Sequence, residues 1–261
     1  MRPLFAFLSA LALLGLATGA SLSGHAQSTN DTGADAAETE KIRRVIDAYL
    51  EENPEIVVQA IQTWQKRQQM ARILPKVELY RGTLTAEDAP QMGNPQGDVT
   101  VIEFFDYRCG FCRRHFPAVR KLVKEDGNIR FMPKQFPILD QEGSAQMSRM
   151  AARAALAAHR QDAFGEYHTA LMTRDGSLTE QTLYDVAAEL GLDVAQLKDD
   201  MGHKLVEKRI QNNLAIGRDI GFSGTPAYII GDEIIQGAEG YGALKNAVAK
   251  ARAKNAEDSG R

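Results

Sequence analysis

The chain has 261 residues, two cysteines, 31 basic and 34 acidic side chains and a formal charge of −3. Two cysteines exclude a disulfide-rich secreted scaffold and a four-cysteine zinc site, and the near-balanced charge leaves no footprint for nucleic acid as a partner. A hydrophobic share of 44% with 25% charged residues fits a globular protein of one large or two smaller domains, not a disordered chain.

Residues 1–26 read as a secretory signal peptide. Arg2 supplies the positive start, Leu4 to Leu16 is an apolar run, and Gly24-His25-Ala26 fits a small-x-small cleavage site. The run is about 13 residues, short of the roughly 20 that span a bilayer. A cut near Ala26 exports the mature chain to an oxidising compartment, where cysteines are free to oxidise.

Residues 27–75 are expected to hold a disordered leader and a helical arm. Gln27 to Glu38 has no large apolar side chain. Ile42, Val45, Ile46, Tyr49 and Leu50 then recur at helical spacing. Asn53-Pro54-Glu55 ends one helix and starts another, which carries Val57, Ile61 and Trp64 on one face. Residues 39–72 have too little mass for a core of their own, so their apolar stripe is expected to pack on another copy of the chain, giving a homo-oligomer. Packing on the body of the same chain is the alternative.

The body is expected from residue 76, with a first part at 76–140. VTVIEFF (99–105) is a buried strand by its β-branched and aromatic content. Phe111 to Lys124 is helical by its spacing. Ile129 to Phe136 is a second strand, which Pro133 bulges or confines to an edge. Strand, helix and strand in that order predict a parallel pair. Residues 141–216 read as a helical insertion, with stripes at Met147, Met150, Ala151, Ala154 and Ala158, at Phe164, Tyr167 and Leu171, at Leu183, Val186 and Leu190, and at Leu197, Met201, Leu205, Ile210 and Leu214. The second part, 217–256, holds a hairpin of Ala227 to Ile230 and Glu233 to Gln236 about Gly231-Asp232, and a closing helix from Tyr241 to Lys254. Residues 257–261 are expected to be a disordered tail.

Cys109-Gly110-Phe111-Cys112 stands directly after VTVIEFF, where a helix opens. Unpaired N–H groups and the helix dipole there favour a thiolate at Cys109, and thiolate is both nucleophile and leaving group in disulfide exchange. Cys112, one turn in, is placed to resolve a mixed disulfide. A structural disulfide and half of a metal site are the other readings, although so short a loop removes little chain entropy and no second CxxC exists.

The run Phe104-Phe105-Asp106-Tyr107-Arg108-Cys109-Gly110-Phe111-Cys112, with Thr225-Pro226 far downstream, resembles the DsbA-like thioredoxin superfamily. The arm, including Tyr49-Leu50-Glu51-Glu52-Asn53-Pro54-Glu55, is similar to the start of its ScsC (suppressor of copper sensitivity) subgroup. The resemblance implies an α/β thioredoxin fold with an inserted helical domain and an N-terminal helical arm. It implies that Pro226 is cis and faces the cysteines, and that Thr225 presents backbone groups to an extended client. It places a buried acid at Glu103, where burial raises a carboxyl pKa and suits it to take the Cys112 proton; the alternative turns Glu103 to solvent. It makes Gly110 and Phe111 the dipeptide that tunes redox poise. Arg108, Arg113 and Arg114 either lower the Cys109 pKa or are solvated surface charges. Lys134 is a candidate base, and His115 reads as a helix-face residue.

The expected activity is thiol:disulfide exchange without a cofactor, isomerising or reducing disulfides. The partners implied are misfolded exported proteins with cysteines and a membrane redox protein. A monomeric, disulfide-donating oxidase is the nearest alternative. A periplasmic copper binder, with Cys109 and Cys112 as Cu(I) ligands, or a holdase is the rival from another class.

Overall fold

In the computed structural model, residues 32–141 and 145–260 are described, with side chains from residue 35. The expected signal peptide lies outside them. The chain divides into two units at Ala60 and Ile61.

The first unit holds α1 (Thr32–Glu52) and the first turns of α2 (Glu55–Leu84). The break falls at Asn53-Pro54 as expected, with the Asn53 side chain donating to the Tyr49 carbonyl at 2.8 Å. The leader expected to be disordered to residue 38 is helical from Thr32. Its Ala-Asp-Ala-Ala-Glu composition has high helix propensity, which outweighs the lack of apolar side chains. Ile42, Val45, Ile46, Tyr49, Val57 and Val58 are all exposed.

The second unit is built on a five-stranded sheet in the order β1-β3-β2-β4-β5. The strands are β1 (Met92–Gly93), β2 (Val99–Phe105), β3 (Ile129–Gln135), β4 (Ala227–Ile230) and β5 (Glu233–Gln236). β2 and β3 are parallel, joined by α3 (Gly110–Asp126), and the other pairs are antiparallel. Pro133 causes no bulge. β1 covers only Phe131 and Arg130, so Pro133 lies on an open edge where its missing N–H leaves no ladder partner unpaired. At Gly93 (φ +77°) a Cβ would stand 2.5 Å from the Ile129 carbonyl, so only glycine fits that edge pairing.

One sheet face carries Ile102, Phe104, Met132, Phe136 and Ile229. It packs on Ile73, Val77 and Leu84 of α2 and on α8 (Lys204–Ile220). The boundary expected at residue 75 is therefore inside a continuous helix. Pro75 is tolerated within α2 because buried Ile73 and Val77 hold the turns on both sides of it. The other face packs on α3 and α9 (Gly240–Ser259). α9 runs past residue 257, so the tail expected to be disordered is helical to Ser259, through Ala256, Glu257 and Asp258.

The insertion consists of α4 (Met147–His159), α5 (Phe164–Thr173), α6 (Glu180–Glu189) and α7 (Val194–Met201). Its core includes Phe105, Tyr107, Phe116 and both cysteines. α8, expected mostly within the insertion, instead turns Val206, Ile210 and Leu214 to the sheet core. Leu190 and Leu205, expected in apolar stripes, are exposed; each stands at a helix boundary, where the 3.6-residue period no longer fixes the face.

Gly217 of α8 meets the ring of Phe136, where an added Cβ would come within 2.6 Å. Phe136 is buried and packed edge-on against Phe104 at 5.6 Å. Gly217→Ala should therefore destabilise the fold by about 1–2 kcal/mol in urea unfolding, although helix propensity alone favours alanine. Equal or greater stability would mean that Phe136 yields freely.

Candidate active site

β2 delivers the chain to the site and Asp106 shapes the turn that follows. Its buried carboxylate accepts the Arg108 N–H at 2.8 Å and the Leu139 N–H at 3.1 Å. Its carbonyl accepts the Cys109 N–H at 3.0 Å. Cys109 is then the N-cap of α3, and its sulfur accepts the Cys112 N–H at 3.4 Å.

The two sulfurs differ. Cys109 is 6% exposed and Cys112 is sealed at 0%; both are free thiols. The Cys112 thiol holds the Cys109 thiolate against the cost of burial, helped by the Thr225 side chain and the N–H groups of Cys112 and Phe111. Together they bring its pKa from 9.0 down to about 5. As a thiol, Cys109 donates to the Thr225 carbonyl at 3.2 Å. Burial pushes Cys112 far above the ordinary thiol range, reinforced by Cys109 and Glu103. One sulfur is thus a nucleophile at neutral pH, and the other needs a base.

Glu103 is fully buried. It opposes Tyr228 in the antiparallel β2–β4 pair, and the Tyr228 hydroxyl donates to Glu103 Oε1 at 2.8 Å. Among the described residues Oε2 has no hydrogen-bond partner. Burial raises the carboxyl from 4.5 to about 8, opposed by the Tyr228 hydrogen bond and aided by Cys109. The reading that turned Glu103 to solvent is excluded, because Glu103 is buried and α3 and α9 cover that face. The Thr225–Pro226 peptide is cis and leads directly into β4.

Lys134 does not join this group. It opposes Phe104 in the β2–β3 register, and alternation puts it on the sheet face away from Glu103. Burial there brings its pKa down to about 7, helped by Arg209 and Arg130. The arginines are engaged elsewhere too. Arg108 reaches Asp140 at 3.3 Å, Arg113 donates to the Gly176 carbonyl at 3.1 Å, and Arg114 lies over the exposed Phe111 ring at 4.7 Å. The last contact also bounds Gly110, where a Cβ would meet the Arg114 guanidinium at 3.0 Å. Among the described residues no group of three or more His, Cys, Asp or Glu is placed to hold a metal.

Sequence reasoning passed over three participants. His115, read as a helix-face residue, lies on the buried face of α3. It lies one turn beyond Cys112, on the side of α3 that meets β4, and its Nδ1 is 2.7 Å from the Tyr228 hydroxyl. Tyr228 carried no signal beyond its place two residues after Pro226. His168 of the insertion is sealed among Phe105, Phe116 and Phe164 and bonded to the Tyr107 hydroxyl at 2.9 Å. Burial holds its pKa near about 3, so it is a neutral strut. A buried acid demands a donor, and that requirement was the available clue to Tyr228.

A family model described as Thioredoxin matches residues 85–250. One described as the copper resistance protein ScsC N-terminal domain matches residues 38–71. A thioredoxin-like oxidoreductase from Silicibacter pomeroyi DSS-3 is 40% identical, with a TM-score of 0.62, over 66% of this chain and 97% of that one. ScsC of Proteus mirabilis in a transitional conformation is 26% identical, with a TM-score of 0.61, over 84% of this chain and 99% of that one. Among curated proteins, the Na(+)/H(+) antiporter NhaA 1 of Salinispora arenicola (strain CNS-205) is 33% identical over 160 residues, which are 61% of this chain and 24% of the antiporter. The chain thus spans about a quarter of the length of the curated relatives it matches first. Among the described residues no helix is long and apolar enough to cross a membrane.

The asymmetry of the sulfurs has a direct readout. Thiolate absorbance near 240 nm in the reduced protein should titrate with a midpoint near 5, and iodoacetamide at pH 6 should modify Cys109 while sparing Cys112. A midpoint in the ordinary thiol range, or equal labelling, would contradict the geometry.

Proposed function

The chain belongs to the thioredoxin family and, within it, to the DsbA-like ScsC subgroup of thiol–disulfide oxidoreductases, and from that premise we propose that it rearranges or reduces disulfides of exported proteins in the periplasm through Cys109 and Cys112. The observation that carries this reading is the pairing of a thiolate at the α3 N-terminus with a sealed thiol and a buried acid.

The steps follow from these positions. The Cys109 thiolate attacks a client disulfide and forms a mixed disulfide, and the first client sulfur leaves as thiolate. The Thr225 carbonyl beside Cys109 offers an extended client a main-chain partner. In the isomerase branch the freed client thiolate opens a second client disulfide, a different client thiolate then attacks the client sulfur of the mixed disulfide, Cys109 leaves as thiolate, and a new pairing forms with no net transfer of electrons. In the reductase branch Cys112 gives its proton to the Glu103 carboxylate and attacks Cys109. The Cys109–Cys112 disulfide forms, the second client sulfur leaves as thiolate, and two electrons have passed to the client. A dithiol donor, on a membrane redox protein, must then reduce the pair.

The arm supports the isomerase branch over disulfide donation. Ile42, Val45, Ile46, Tyr49, Val57 and Val58 leave an apolar stripe in water, and a second copy of the same stripe is its natural cover. Several active sites then share one particle and hold one client.

Refolding of a scrambled multi-disulfide substrate by the reduced protein tests this reading, and activity should be recovered. Fast oxidation of reduced substrate with no unscrambling would reject it in favour of the donating oxidase. Removing residues 39–68 spares Met70 and Ile73, which pack on the sheet core. The shortened chain should fold, sediment as a monomer and lose unscrambling. A full-length monomer at micromolar concentration would remove the argument from the arm.

A further inference from the structure

Behind the cysteines, Glu103, Tyr228 and His115 form a hydrogen-bonded line whose polarity is set by the backbone. The Gly240 N–H donates to His115 Nε2 at 2.9 Å. The imidazole is held neutral by burial, which lowers its pKa, so its one proton sits on Nδ1. Nδ1–H then donates to the Tyr228 oxygen at 2.7 Å. Tyr228 has a single hydrogen, and it goes to Glu103 Oε1 at 2.8 Å. A carboxyl that accepts at Oε1 carries its own proton on Oε2, the oxygen without a partner.

We propose that His115 and Tyr228 are positioning residues for the resolving half-reaction, and that through them the Gly240 N–H fixes Oε2 of Glu103 as the atom that exchanges a proton with Cys112. This rests on the reading of Glu103 as the base for Cys112. The step balances within the site. Once Glu103 has ionised at Oε2, the Cys112 S–H proton passes to Oε2, Cys112 Sγ bonds to Cys109 Sγ, and the Cys109–client bond breaks with its electrons on the client sulfur. The line is not an exit for the proton. With Nε2 occupied by Gly240, His115 has no free position at which to take up a second proton, so Oε2 both receives and releases it.

The participants converge from four elements: Glu103 from β2, Tyr228 from β4, His115 from α3, and Gly240, the first residue of α9. The titratable groups facing Glu103 are Tyr228, Cys109, Cys112 and Tyr107. From β3, Lys134 lies on the opposite sheet face, and α9 turns Leu244, Ala247, Val248 and Ala251 inward. Among the described residues, His115 bonds the Tyr228 hydroxyl at one nitrogen and the Gly240 N–H at the other. The Tyr228 bond therefore opposes burial almost unaided.

The test uses the full chain with Cys109 in a mixed disulfide with glutathione, and follows glutathione release by Cys112 against pH. In the parent the rate should rise through a midpoint that burial raises well above the ordinary carboxyl range. Tyr228→Phe should move that midpoint up by about one unit, the scale of one hydrogen bond to a charged group. His115→Leu should move it the same way by less, and His115→Asn, which keeps a donor at the Nδ1 position, should restore it. A purely structural role would lower the melting temperature and leave the midpoint in place. An unmoved midpoint in folded Tyr228→Phe, where Glu103→Gln abolishes the rise, overturns the line and leaves the reading of Glu103 intact. A rise that persists in Glu103→Gln overturns both. Should the variants fail to fold, 15N spectra of the unmodified protein decide: the Nδ1–H tautomer of His115 is expected, and the Nε2–H tautomer would overturn the proposal.

Discussion

A carboxyl group with no access to water, set into a sheet behind two cysteines, is the constraint around which the site is arranged. Burial of Glu103 favours its neutral form and costs stability whenever it must ionise. With a folded pKa near 8 against an ordinary 4.5, the folded state binds the proton more tightly than the unfolded one. The fold therefore loses stability as pH rises from about 4.5 to 8, the opposite sign to a salt-bridged carboxylate. Such a cost persists only where the group is used. In the proposed reaction it supplies a base matched to a thiol whose own pKa burial has raised.

The register of β4 against β2 ties this acid to the rest of the site. Opposing Glu103 with Tyr228 provides the donor the carboxyl needs. It also fixes what comes two residues earlier, the cis Thr225–Pro226 peptide, whose Thr225 carbonyl stands beside Cys109. One strand pairing thus sets the buried carboxyl and the cis-proline loop beside Cys109 together. A register slip of one residue would turn Tyr228 to the other face and separate them. On the opposite side, Phe105, Tyr107 and Phe116 carry the cysteines into the core of the helical insertion. Neutral His168 packs among these rings and adds no charge that would compete for the thiolate.

Much of this was legible in the residues. VTVIEFF read as a buried strand because β-branched and aromatic side chains fill both of its faces, and the Gly-Asp turn fixed the hairpin. The CxxC at a strand–helix junction pointed to Cys109 as thiolate through the physics of helix ends alone. The partners of Glu103 were not legible, because Tyr228 stands 125 residues away and sequence spacing carries no information on which strands pair. His115 misled because an imidazole on a helix reads equally well as surface or core until the neighbouring strand is known. The α2 boundary misled for a related reason: Pro75 punctuates a sequence, yet a helix pinned by buried Ile73 and Val77 passes through it. Lys134 misled because its strand was found while its face was not; the Phe104 register settles that.

The central claim is that Glu103 is protonated at neutral pH and ionises in the range where Cys112 must lose its proton. Carbon-13 NMR of the reduced protein labelled at glutamate carboxyl carbons, assigned by loss of one resonance in Glu103→Gln, measures this directly. The account predicts a single glutamate resonance titrating with a midpoint near 8, well separated from the rest. A Glu103 resonance that titrates at about the ordinary glutamate value of 4.3 would contradict it.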